Sequence, residues 1–128
     1  MSVNYKSVGR RNPQDSSQPE KYYATAISKG TTDLKKLASL LSDGSTTRIS
    51  DVYAVLIGLV EEIKKELSEG RAVKLGDLGT FKVGINAEGA DTPEEVNPSK
   101  IIRRKIAYRV SADLKKMLNN LDFEKLSE

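Results

Sequence analysis

Apolar residues recur along the chain with two different periods, and the change of period divides it into elements. Between Gly30 and Gly44, Leu34, Leu37, Ala38 and Leu41 fall at the spacing of a helix buried on one side. Thr31, Thr32 and Asp33 offer capping oxygens before it, and Gly44 is expected in the left-handed conformation after it. A second helix is expected from an N-cap at Ser50 to Ser68, with Gly70 as its stop. It carries two adjoining apolar stripes, Val52, Leu56, Leu59 and Ile63, and beside them Tyr53, Ile57 and Val60. Glu61, Glu62, Lys64, Lys65 and Glu66 form its charged outer surface. One short neighbouring helix covers one stripe, so the second stripe calls for burial on a further side. A second copy of the chain supplies that burial most simply.

The period then shifts to two. In Arg71 to Val83 the residues Val73, Leu75, Phe81 and Val83 alternate with Lys74, Thr80 and Lys82 around a Gly76-Asp77-Leu78-Gly79 bend, the pattern of two strands joined by a tight turn. Lys100 to Val110 reads as a long strand. It has Ile102, Ile106, Tyr108 and Val110 on one face and Arg103, Lys105 and Arg109 on the other. Between these strands, Ile85 to Pro98 reads as an acidic insert carrying Glu88, Asp91, Glu94 and Glu95. Its Thr92-Pro93-Glu94-Glu95 stretch is a helix-start signal that Pro98 limits to about one turn. Ser111 is placed to cap a last helix carrying Leu114, Met117, Leu118 and Leu121, and Phe123 and Leu126 are expected to anchor the tail. At the other end, Val3 to Val8 and Lys21 to Ser28 favour strands and are expected to pair as a hairpin around loop 9–20. Arg10-Arg11-Asn12-Pro13 can be a DNA-contacting arm or a solvated loop, and the solvated loop is the expectation. The chain thus reads as an extension (1–30), a main domain (31–121) and a tail (122–128).

Composition sharpens the need for a partner copy. Hydrophobic residues make up 38% and aromatics 5% of the 128 residues, a lean supply for a self-sufficient core. No run of about 18 apolar residues suggests a membrane span. Met1-Ser2-Val3-Asn4-Tyr5-Lys6 lacks an apolar signal region, so a cytoplasmic location is expected. The chain has no cysteine and no histidine. Disulfides, Cys-type zinc sites, the usual neutral-pH acid/base and the strongest side-chain nucleophile are therefore absent. Neither GxxxxGK[ST] nor GxGxxG occurs. No enzyme activity, cofactor, metal or small-molecule substrate is expected. A net charge of +3 is a weak pointer to a polyanion on its own. Its distribution matters more: Lys74, Lys82, Lys100, Arg103, Lys105 and Arg109 would form one basic surface if the strands stand side by side.

The order helix, helix, β-ribbon, return strand, short helix resembles the HU and integration host factor family. The most specific stretch is Glu69-Gly70-Arg71-Ala72-Val73-Lys74-Leu75-Gly76-Asp77-Leu78-Gly79-Thr80-Phe81-Lys82-Val83, which is similar to the family's Gly-x-x-Val-x-Leu followed by Gly-Phe-Gly-Thr-Phe. Asp77 replaces the first glycine of that turn and Leu78 the phenylalanine. Tyr108 with Leu114 and Lys115 matches the family's aromatic residue followed by Leu-Lys. The resemblance spans about Thr31 to Leu121, and the segment before Gly30 looks like the extension of a divergent HU-like branch. It implies an α+β, HU-like fold: a helical hairpin base, a β-sheet saddle and a short C-terminal helix, in an intertwined dimer. Val52, Leu56, Leu59, Ile63 and Phe81 would then form the dimer core. The implied function is nucleoid-associated, architectural binding of double-stranded DNA by a homodimer or a heterodimer with a related chain, with arms that bend the duplex from the minor groove. The implied contacts are Lys74, Lys82, Lys100, Arg103, Lys105 and Arg109. The arm departs from the family: it is shorter and acidic, and lacks Arg-Asn-Pro at its tip. Ala112 stands where a lysine is usual, and the Arg11-Asn12-Pro13 triplet lies outside the matching region. The acidic insert keeps a second reading open, a dimeric protein-interaction scaffold that has lost DNA wrapping.

Overall fold

The computed structural model describes residues 1–15 and 17–127. The chain folds as two compact units, Leu34–Lys116 and Met1–Asp33 together with the chain from Met117 onward. In the first, α1 (Leu34–Asp43) packs on α2 (Ile49–Ser68). The α2 helix begins two residues earlier than its serine suggested. Arg48, in extended conformation, is the N-cap without a side-chain bond, and Ser50 lies inside the first turn. Its C-terminus follows the sequence closely. Gly70 has φ +80°, its N–H donates to the Leu67 carbonyl at 3.0 Å, and the Arg71 N–H donates to the Glu66 carbonyl at 3.1 Å. These bonds satisfy carbonyls the helix would otherwise leave open. Gly44 is not left-handed. After α1 the chain turns through a Ser45 N–H to Ser42 carbonyl bond at 3.1 Å instead.

A three-stranded antiparallel sheet follows, in the order β3 (Val73–Lys74), β4 (Gly79–Ala87), β5 (Ile101–Val110). The β3–β4 bend is closed by Leu75 N–H to Gly79 carbonyl at 2.8 Å. Glycines hold the two left-handed positions, Gly76 (φ +49°) and Gly79 (φ +136°). A Cβ on Gly79 would also strike the Arg109 carbonyl and the Tyr108 ring. Strand β4 runs on through Ile85-Asn86-Ala87, so the acidic insert starts at Glu88 and not at Ile85. Within it, Pro93–Glu95 and Pro98–Lys100 are single 3-10 turns. Ser111 caps α3 (Ala112–Asn119): its Oγ accepts the Leu114 N–H at 3.1 Å and donates to the Asp77 carbonyl, tying the helix start to the β3–β4 bend.

The second unit is a sheet in the order β2 (Lys21–Ile27), β1 (Val3–Arg10), β6 (Phe123–Lys125). β1 and β2 form an antiparallel hairpin, and β6 runs parallel to β1 on its other side. The tail is thus a sheet strand, held by Val3 N–H to Asp122 carbonyl and Leu126 N–H to Tyr5 carbonyl, both 2.8 Å.

The core is thin. Ala38 is the one fully buried apolar side chain among the described residues. On α2, Val52, Tyr53, Leu56, Ile63 and Leu67 are half-buried, whereas Val55, Ile57, Leu59 and Val60 are exposed. At 100° per residue these apolar positions cover an arc of about 200°. The chain exposes 10954 Å² of accessible surface. A compact protein of its mass exposes about 6,700 Å², and two separate compact units of these sizes about 8,000 Å².

Candidate nucleic-acid interface

The register of the β3–β4–β5 sheet sorts its side chains by charge. Thr80 stands opposite both Lys74 and Arg109, Lys82 opposite Ala107, Gly84 opposite Lys105, and Asn86 opposite Arg103. Directly paired residues share a face. Lys74, Lys82, Arg103, Lys105 and Arg109 therefore share one face, with Thr80 and Asn86 between them. Phe81–Tyr108 and Val83–Ile106 pair on the other. There Phe81 and Tyr108 stack with ring centroids 4.9 Å apart. The Tyr108 hydroxyl donates to the Leu78 carbonyl at 2.6 Å, fixing the end of the strand to the bend. Phe81, Ile106 and Leu75 border a largely apolar cleft with Val60, Ile63, Lys64 and Leu67 of α2. The apolar face thus looks to the helix, which leaves the basic face open.

All five cations of that face are exposed. Lys64–Glu61, Lys65–Glu62 and Arg71–Glu66 form ion pairs, and none of the five pairs with a carboxylate among the described residues. Gly84 shapes the surface: a Cβ there would lie 3.0 Å from Cε of Lys105, and its absence lets the lysine stem lie flat across the strand. Lys74 and Arg109 edge a shallow concavity with Thr80 and Ser111, where Asp77 and Asp113 also stand. From Arg109 to Arg103 the cations span about 20 Å of strand.

Lys100 does not join this face as a strand residue. Pro98 forces a 3-10 turn that ends at Lys100, and the strand begins at Ile101. The Lys100 carbonyl accepts the Glu88 N–H at 2.8 Å, closing the ribbon at its far end. A shift of register between Asn86 and Ala87 separates this end from the regular ladder. Among the residues expected in a dimer core, Val52, Leu56, Ile63 and Phe81 are half-buried and Leu59 is exposed. From the sequence, Thr80 reads as facing outward with Lys74 and Lys82 but not as a contact, and Asn86 is not singled out; its even-numbered position along β4, in step with Lys82, is the available signal. Arg104 lies opposite Ile85, on the face away from the other cations.

An α+β chain of three helices and two small sheets, one of them basic on one face and apolar on the other, is the class of protein defined here. The chain belongs to the HU-HIG family, HU domains fused to a winged helix-turn-helix, Ig or glycine-rich motif, whose model matches residues 1–125. Its fold is similar to that of a candidate bacterial DNA-binding protein from Bacteroides vulgatus, with a TM-score of 0.68 at 13% identity over 99% of this chain. The chain spans about half of that protein, 49% of its length. No curated protein matches the chain. No helix among the described residues is long and apolar enough to cross a membrane.

Proposed function

We propose that this chain is a non-enzymatic, architectural DNA-binding protein that engages the phosphates of duplex DNA as a homodimer. The observation that carries the reading is the basic sheet face: five exposed cations, without an ion pair among the described residues, backed by an apolar face turned to α2. Arginine meets a phosphate through two parallel hydrogen bonds and lysine meets it as a point charge, while Thr80 and Asn86 add neutral donors. Backbone contacts carry no sequence information, so sequence preference is weak. The homodimer is supported by the apolar arc of α2 and by surface far in excess of that of a compact chain. A two-fold axis doubles the basic face. Membership of an HU-domain family and the fold shared with the Bacteroides vulgatus protein support the same reading. Nucleoid association follows from such binding.

The test is a salt titration of fluorescent duplex DNA. If the two sheet faces of a dimer neutralise about six phosphates, they contribute about −5 to the slope of log affinity against log salt. A flat response, or no binding at about 50 mM salt, refutes the proposal.

The second reading, a dimeric protein-interaction scaffold, is favoured by one feature. Glu88, Asp91, Glu94 and Glu95 are all exposed at the ribbon tip, where they repel phosphate. Charge reversal by Arg103→Glu with Lys105→Glu separates the two readings. It weakens duplex binding and reduces its salt slope in the first and leaves partner binding intact in the second.

A further inference from the structure

The hairpin of the N-terminal unit carries a second basic surface. Antiparallel pairing sets Arg10 opposite Lys21, Val8 opposite Tyr23 and Lys6 opposite Thr25, so Lys6, Arg10, Lys21 and Tyr23 share one face. The Arg10 guanidinium lies over the Tyr23 ring, 5.9 Å from its centroid. Beyond the last pair, Arg11 and Pro13 continue from β1 and Pro19 leads back to β2. Together with Arg10, Lys21 and Tyr23 they wall a groove.

Charge is segregated here as well. No carboxylate lines the groove. The side chain of Glu20 lies against Gly9 and Tyr22, which belong to the opposite face of the hairpin. The loop is folded on itself: the Asp15 N–H donates to the Asn12 carbonyl at 3.2 Å, and the Gln14 N–H to Asn12 Oδ1 at 3.0 Å. The described residues of the loop are exposed, as the sequence suggested, and these local bonds give the groove wall a defined shape.

We infer that this groove is a second binding site for the phosphate backbone of duplex DNA, with Arg10, Arg11 and Lys21 as its phosphate ligands. Tyr23 draws the Arg10 guanidinium over its ring, and the guanidinium N–H groups can fork onto a phosphate. A duplex strand presents phosphates at a rise of about 3.4 Å, and three cations at one hairpin end meet it as a cluster. The groove is separate from the basic face of the β3–β4–β5 sheet, and the inference stands or falls without that reading.

The experiment is a salt titration of the full chain on a fluorescent duplex, with three sets of variants. Arg10→Gln with Arg11→Gln and Lys21→Gln removes three cations per chain. The slope of log affinity against log salt then shrinks by about 2.7 per bound chain, so the fall in affinity between 50 and 200 mM salt becomes about 40-fold smaller. Arg10→Lys with Arg11→Lys keeps the wild-type slope. Arg103→Gln with Lys105→Gln reports on the other surface. An unchanged slope in the hairpin triple, with the Arg103 and Lys105 double variant reduced, overturns the second site and leaves the sheet reading intact. A reduced slope in the hairpin triple alone upholds the second site and removes the sheet reading. Should the triple misfold, Arg11→Gln, outside the strand pairing, reads the same contact as a decrease of about 0.9 in slope. No change there overturns the inference.

Discussion

Leu59→Asp tests the partner copy on which the proposed function rests. Leu59 is 44% exposed in the single chain and sits on the arc with Val55, 71% exposed, one turn before it. Full burial of a leucine stabilises by about 1.5–3 kcal/mol, so roughly 1 kcal/mol per copy remains to be gained at an interface, about 2 kcal/mol for a symmetric pair. The aspartate adds desolvation of a carboxylate in each copy, several kcal/mol each after relaxation. At about 3 kcal/mol for each carboxylate the total is about 8 kcal/mol, which at 1.4 kcal/mol per decade weakens association by about 10⁵-fold or more. On a monomer the same change costs about 1 kcal/mol of stability and has no effect on mass. Sedimentation equilibrium from nanomolar to micromolar concentration reads the difference directly. The expected result is a dimeric wild type and a dissociated variant, whose salt slope on duplex DNA is halved because one basic face remains where there were two. A variant with the mass of the wild type refutes the reasoning, as does a wild type that stays monomeric and fully folded throughout.

Ser111→Ala removes both the α3 cap and the bond to the Asp77 carbonyl, and is expected to cost about 1–2 kcal/mol in chemical denaturation. Gly79→Ala places a Cβ against the Arg109 carbonyl at φ +136° and is expected to cost about 3 kcal/mol or more, read as a lowered Tm with loss of the β3–β4 pairing in hydrogen exchange. Glu88→Gln with Asp91→Asn removes repulsion at the ribbon tip. It is expected to tighten duplex binding at 50 mM salt, with an effect that shrinks at higher salt, and a change independent of salt would contradict an electrostatic cause.

The elements whose residues repeat with a clear period were legible before the structure. Alternation in β4 and β5 separated Lys82, Arg103, Lys105 and Arg109 from Phe81, Ile106 and Tyr108, because a strand places neighbours on opposite faces whatever lies around it. Gly70 and Ser111 were legible because each does a local job with local partners. Helix starts were less so: Ser50 has the better capping side chain, yet α2 begins at Arg48 with no side-chain cap at all. Lys100 was misplaced because its charge continues the pattern of β5 while Pro98 bends its backbone into a turn. Strand β6 carries no period in three residues, and its pairing with β1 joins parts of the chain more than a hundred residues apart. The groove of Arg10, Lys21 and Tyr23 was hidden for the same reason: only the hairpin register brings residues on either side of a loop onto one face.

The two charge patterns on the ribbon set how DNA can lie on it. Glu88 follows Asn86 by two residues, so it stands about 7 Å along the strand from the position paired with Arg103. That is within the Debye length of about 8 Å at physiological salt, so the tip carboxylates offset the field of Arg103. Arg109, Lys74 and Lys82 lie farther from the tip, beyond that screening distance, so the tip carboxylates offset them far less. On the proposed function, a duplex is therefore drawn to the base of the ribbon, where β3, β4 and β5 are all paired, and pushed from its end. A ribbon with a basic tip would follow the DNA around, as the family resemblance implies. This one would hold the duplex across the sheet and stop, so its grip would depend on how many basic faces are set side by side. On that reading the apolar arc of α2, through the proposed dimer, governs the affinity without contributing a phosphate contact.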